Sequence, residues 1–250
     1  MLPELTTEEC AAALDAVAAE ALARSGERGS PIDAVALATA LGLVVATDSR
    51  QSGRARMVRL GGRIAAPQPS IMVRPEPRDE RLQWAVAHEI GEHLAVEVFR
   101  SLGVRPREAP PAIRERIANQ LASRILLPRE SFAAAAQACD WDLLALKRQF
   151  GTASHELIAR RMLDFPQPIL ITIVDNGGTT FRGSNLAGRV PPLYACEQQA
   201  RQAAHDSNQP QAAGDRRWDV RAWPIHEESW RREILRTAWT VDEEAVEGVY

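Results

Sequence analysis

Apolar residues follow helical spacing over most of this chain and strand spacing near its end. Leu14, Val17, Ala18, Ala21 and Leu22 share one face of an alanine-rich stretch and predict a helix over residues 8–24. Ser30-Pro31-Ile32-Asp33 opens a second, short helix that Gly42 ends. Leu43 to Thr47 and Ser70 to Arg74 read as strands. Arg56 to Leu60, Gly61-Gly62 and Arg63-Ile64-Ala65 read as a hairpin. Together these segments predict a small antiparallel sheet. From Asp79 to Arg100, Leu82, Val86, Ile90 and Leu94 recur every four residues, so this helix should turn them to the core. Ile113, Ile117, Leu121 and Ile125 recur in the same way up to Pro128, and Pro110-Pro111 separates the two helices. Further helices are expected over residues 129–138, around Leu143 to Phe150, and from His155 to Phe165 after a turn at Gly151 to Ser154.

Beyond Pro166 and Pro168 the period changes. Ile169 to Asp175, then Asn176-Gly177-Gly178, then Thr179 to Arg182 form the clearest hairpin in the chain. A helix is expected over residues 197–204, a polar flexible connection from Ser207 to Asp215, and a strand from Arg217 to Ile225. Trp218, Trp223, Trp230 and Trp239 crowd this end. Their first reading is core packing, with a ligand or partner surface as the alternative. His226, beside Glu227 and Glu228, reads as an exposed loop histidine. The fold class is α+β. Residues 1–165 form one domain, closed by a helical hairpin at about 140–165. A smaller mixed α/β domain follows over 166–250, with a sensory or partner-binding role.

A length of 250 residues and a net charge of −3 suit one large domain or two modest ones, without the basic character of a nucleic-acid binder. The segments 143–150 and 155–165 could be read as helix-turn-helix, but Arg160, Arg161 and Lys147 are too few cations for DNA. Direct DNA binding is therefore not expected. Cys10, Cys139 and Cys196 are widely spaced and read as free thiols. Without a signal-like leader or an apolar run of spanning length, the chain reads as cytoplasmic with no membrane partner.

Candidate chemistry sits in Trp84-Ala-Val-Ala-His88-Glu89-Ile-Gly-Glu92-His93-Leu94. This is one residue type away from the H-E-x-x-H helix of zinc metallopeptidases. There two histidines one turn apart hold the metal, and the glutamate after the first is the general base. Here Glu92 stands four residues after His88 and His93 five. A residue four along returns to within about 40° of its start, whereas one five along lies about 140° away. Glu92 is thus the better second ligand. His93 is the alternative, reaching the metal only if a one-residue π-bulge near Gly91 turned it inward. Glu115, on the next helix and beside the small residues Ala118 and Asn119, matches the third ligand of gluzincin-type enzymes.

These segments resemble the ImmA/IrrE-type metallopeptidases. The likeness is carried by Ala87-His88-Glu89-Ile90-Gly91, and by Glu115-x-x-Ala118-Asn119 running into Ile125-Leu126-Leu127-Pro128. The lead-in Pro31-Ile-Asp33-Ala-Val35-Ala-Leu37 to Leu41-Gly42-Leu43 adds to it. It covers roughly residues 10–165 well and the remainder weakly. The resemblance implies a bacterial endopeptidase that cleaves a helix-turn-helix repressor or an antitoxin, with His88 and Glu115 as ligands and Glu89 as base. The family's second histidine has no counterpart, since Glu92 stands there. One divalent metal is expected, with zinc as first choice and manganese or iron as alternatives. The rival expectation is a catalytically weak or inactive sensor that keeps the peptidase fold.

Overall fold

The structure is a computed structural model, and it describes residues 6–26, 29–61 and 67–240. The chain divides into two compact units, residues 1–154 and 155–250. Of the sequence expectations, the return strand Arg63-Ile64-Ala65 lies outside the described residues.

The first unit begins with helix α1 (Thr7–Ser25). A capping box between Thr6 and Glu9 starts it, and Gly26, at φ 75°, ends it. Its buried face is Leu14, Val17, Ala18, Ala21 and Leu22, as the spacing predicts. Helix α2 (Ala34–Ala40) is capped by the Asp33 side chain, which accepts from the amides of Val35 and Ala36. The buried Gln83 adds a long-range cap. Its Oε1 accepts from the Ala34 amide at 2.6 Å and its Nε2 donates to Asp33 at 3.2 Å. Gln83 lies on helix α3 (Asp79–Ser101), so α2 is anchored to the helix that carries the motif.

Between α2 and α3 run β1 (Val44–Thr47), β2 (Ala55–Leu60) and β3 (Gln68–Val73). The sheet is mixed and not purely antiparallel as expected. Its order is β1-β3-β2, with β1 parallel and β2 antiparallel to β3. The reason lies in which strand has apolar surface to hide. Ser70, Ile71 and Val73 of β3 are buried, whereas no residue of β1 or β2 is, so β3 takes the centre. Helices α4 (Pro111–Leu126), α5 (Arg129–Ala138) and α6 (Leu143–Gln149) complete the unit. Val86, Ile90 and Leu94 of α3, with Ile117, Leu121 and Ile125 of α4, are buried. Leu82 is half-buried, and Ile113 is exposed near the start of α4.

The second unit opens with α7 (His155–Arg161) and a short 3-10 turn, Met162–Asp164. Its sheet contains β4 (Ile169–Asp175), β5 (Gly178–Ser184), β6 (Gln211–Gly214), β7 (Trp218–Glu227) and β8 (Trp230–Trp239). Helix α8 (Ala195–Ser207) lies between β5 and β6 in sequence. Strand order is β5-β4-β8-β7-β6, antiparallel throughout. This corrects the expectation of a mixed α/β domain. Asn176 and Gly177 both take positive φ in the β4–β5 turn, the conformation that an Asn-Gly hairpin needs. The supposed flexible stretch contains β6, and β8 was not foreseen. Arg231, Arg232, Glu233 and Arg236 interrupt the apolar pattern of β8, yet all but Arg231 are drawn into the unit by polar partners. Arg232 bonds Asp175 and Glu156, Glu233 bonds two histidines, and Arg236 bonds Gln167.

Alternate residues of β7 and β8 face α8. Trp218, Val220, Ala222 and Leu235 pack there with Leu170, Ala200 and Ala204. Glu197 of α8 is fully buried, and its charge is answered. Arg182 Nη1 and Nη2 bond its two oxygens at 3.0 and 2.9 Å, while Thr237 and the Tyr194 amide add bonds of 2.6 and 2.7 Å. Arg161 is buried against Asp164 at 2.5 Å, and Arg160 lies over the Phe181 ring. Arg161 is thus held inside the unit, whereas Arg160 stays exposed and also pairs with Glu156 at 3.3 Å. All three cysteines are free, and burial pushes the Cys196 thiol up from its usual range.

Asp175 carries a testable acid dependence. Arg232 donates to its two oxygens at 2.6 and 2.8 Å, and that pairing holds the carboxyl below its ordinary value against the opposing effect of burial. A lowered folded value means that the pair contributes stability above the unfolded-state value of about 3.9 and loses it as pH falls through the folded one. In urea titrations, wild type should exceed Asp175→Asn in stability near neutral pH, and the gap should close as the medium is acidified below about pH 4.

Candidate metal centre

Helix α3 is α-helical without interruption through Gly91, so its register is the regular one. Glu92 therefore stands one turn above His88 on the same face. Helix α4 lies across it and contributes Glu115. One donor atom each from His88, Glu92 and Glu115 falls within a 4.8 Å cluster. His88 Nε2 is 3.7 Å from Glu115 Oε2. That is too long for a hydrogen bond but close to the roughly 3.4 Å that separates two tetrahedral ligands at 2.0–2.2 Å from one ion. His93 is exposed and does not belong to the cluster.

The close crossing of α3 and α4 makes this possible, and two small residues permit it. A Cβ on Gly91 would stand 2.5 Å from the carbonyl oxygen of Ala118. Gly91 lies on α3 between His88 and Glu92, and Ala118 lies one turn beyond Glu115 on α4. The backbones thus touch where the three candidate ligands converge. Asn119 Nδ2 donates to Glu115 Oε1 at 3.0 Å, which ties one oxygen and leaves the other towards His88. Asn119 was noted in the sequence only as a small neighbour. Its four-residue spacing from Glu115 was the signal for this role.

Glu89 points elsewhere, as its position about 100° round the helix requires. It is buried, and its carboxylate accepts a hydrogen bond from the Met57 amide of β2. Burial pushes its carboxyl up from the ordinary value. His88 and the Met57 amide oppose this, and the charges of Glu92 and Glu115 add to it. No side-chain pattern could have announced the Met57 contact, because the donor is backbone.

The residues fit a divalent cation. Two carboxylates gather beside the His88 imidazole, where a cation would relieve their mutual repulsion. The side chain of Glu115 is 58% exposed, so one side of the cluster remains open to solvent.

Comparison with protein-family models matches residues 39–163, half of the chain, to the IrrE N-terminal-like domain, peptidase family M78. The chain belongs to this family. Its members are zinc-dependent, and the match covers the elements that carry His88, Glu89, Glu92 and Glu115. Among solved structures the fold is similar to a Mycobacterium tuberculosis transcriptional regulator. The two share 16% identity and a TM-score of 0.66 over 90% of this chain and 75% of that one. At that identity the likeness is one of fold. Comparison with curated proteins finds no match. Among the described residues, no helix is long and apolar enough to cross a membrane.

Gly91→Ala tests the crossing. The added methyl cannot fit at 2.5 Å from a backbone oxygen, so the helices must separate. We expect a loss of about 1–3 kcal/mol in chemical denaturation. Metal affinity should fall with it, because His88 and Glu115 move apart.

Proposed function

We propose that this chain is a metal-dependent endopeptidase that cleaves a regulatory protein, a helix-turn-helix repressor or an antitoxin. The observation that carries the reading is the convergence of His88, Glu92 and Glu115 beside a buried Glu89. Family membership supports peptidase chemistry, and a fold shared with a protein described as a transcriptional regulator fits a regulatory setting. When bound, the divalent ion supplies Lewis acidity to the scissile carbonyl and lowers the pKa of a water. Glu89 takes the proton from the attacking water and passes it to the leaving amine. Its buried surroundings and the Met57 amide hold the carboxylate in one orientation. Among the described residues strand β2 is an edge strand that packs beside α3, and that edge would offer backbone groups to an extended substrate segment.

One imidazole and two carboxylates form a harder donor set than two imidazoles and one carboxylate. It accepts manganese or iron more readily than the two-histidine set does, with zinc remaining the first choice from the family. The same donors withdraw less electron density from a water, so turnover should be slow or confined to one partner. One specific feature favours a second reading. Glu92 in place of a second histidine suits a chain that binds its partner and senses through the peptidase fold without cleaving.

Two experiments separate the possibilities. Elemental analysis should show that His88→Ala and Glu92→Ala each lose the α3–α4 ion, while His93→Ala retains it. The reverse result for the last two would assign His93 as ligand. Glu89→Gln keeps shape and hydrogen bonding but cannot take a proton. Metal content and partner binding should survive, while cleavage falls about 100-fold or more. Full rescue of a deletion strain by Glu89→Gln would remove proteolysis from the account and leave the sensor reading.

A further inference from the structure

The second unit gathers a different set of metal-binding side chains. His205 comes from the last turn of α8, His226 from β7 and Glu233 from β8. The pairing of β7 with β8 sets Glu233 opposite Pro224, so His226 is its diagonal neighbour on the face that α8 covers. His205 Nδ1 lies 2.8 Å from Glu233 Oε1, and His226 Nε2 lies 2.7 Å from the same oxygen. One donor atom from each of the three side chains falls within 4.8 Å of the others. The side chains of Glu233 and His226 are 0% and 3% exposed, whereas that of His205 is 41% exposed. Glu233 Oε2 is buried and has no hydrogen-bond partner among the described residues.

We propose that His205, His226 and Glu233 form a second divalent-metal site, of the kind that selects zinc. Two imidazoles and one carboxylate are a donor set of zinc centres. They are softer than the one imidazole and two carboxylates between α3 and α4, so this site discriminates more strongly against manganese. The orphaned oxygen of Glu233 is a free lone-pair site on a buried, negatively charged group. Such a group lacks a cation more than it lacks another hydrogen bond. Exposed His205 leaves an approach from solvent and a fourth position for water or an outside ligand.

Arg231 shows how the metal-free state is held. Its Nη1 lies 2.8 Å from His226 Nδ1. A guanidinium only donates, so Nδ1 accepts and the ring proton sits on Nε2, directed at Glu233. Coordination through Nε2 moves that proton to Nδ1, where it meets the Arg231 donor. Arg231 is exposed and must swing away for the ion to bind. It therefore opposes binding, both through its charge and through the ring tautomer it enforces.

Equilibrium dialysis with zinc tests the site on the full chain carrying His88→Ala and Glu115→Ala, which disable the α3–α4 cluster. The result is therefore independent of the proposed peptidase centre. One zinc equivalent is expected. Adding His205→Ala should abolish it, with circular dichroism confirming the fold, since that side chain is partly exposed. In the same background Arg231→Ala should tighten zinc binding about tenfold, the lower range for a group acting on a ligand's other nitrogen. A plain structural network of two histidines on a carboxylate would not respond in this way. No zinc uptake by the starting variant, retention of zinc after His205→Ala, or weaker binding in Arg231→Ala would each overturn the proposal.

Discussion

The candidate centre depends on how closely α3 can lie against α4. Three donors on two helices approach one point only if the backbones nearly touch beside them. Gly91 and Ala118 supply that approach, with no room for one methyl group between them. The rest of the first unit braces the same crossing. Gln83 fastens α2 to α3, the leucines and isoleucines of α3 and α4 bury their facing stripes, and Asn119 fixes the Glu115 carboxylate. Strand β2 adds the Met57 amide behind Glu89. The placing of the candidate ligands and the packing of the helices are therefore one constraint, and a substitution at Gly91 reaches both.

Much of this was legible in the chain because it depends on local spacing. The buried face of α1, the extent of α3 and α5, and the Asn-Gly turn between β4 and β5 all follow from period, caps and turn chemistry. The gathering of His88, Glu92 and Glu115 follows from helical angles together with one well-placed glutamate. What stayed hidden depends on partners far away in sequence. The central place of β3, between β1 and β2, goes with its being the strand whose residues are buried. Strand β8 was obscured by charges whose partners lie on other elements. His226 read as an exposed loop residue because its neighbours are acidic. In the structure it sits on β7 with its ring buried, and Glu233 is its partner. Strand β6 lacks apolar residues larger than alanine and is defined by its pairing with β7.

The two clusters of ligand-type residues differ in a way that matters chemically. The first has one imidazole, two carboxylates and an open face, which suits hydrolysis that needs a free coordination position. The second has two imidazoles around a buried carboxylate, which favours retention of an ion over reaction.

X-ray absorption at the zinc edge tests the central claim most directly, because outer-shell scattering counts the imidazoles bound to the ion. The sample is the chain with His205→Ala, loaded with one zinc equivalent. The account predicts a first shell of nitrogen and oxygen with a single imidazole, that of His88. A spectrum with two imidazoles would bring His93 into the site and contradict the regular register of α3, and a chain that takes up no zinc would contradict the centre itself.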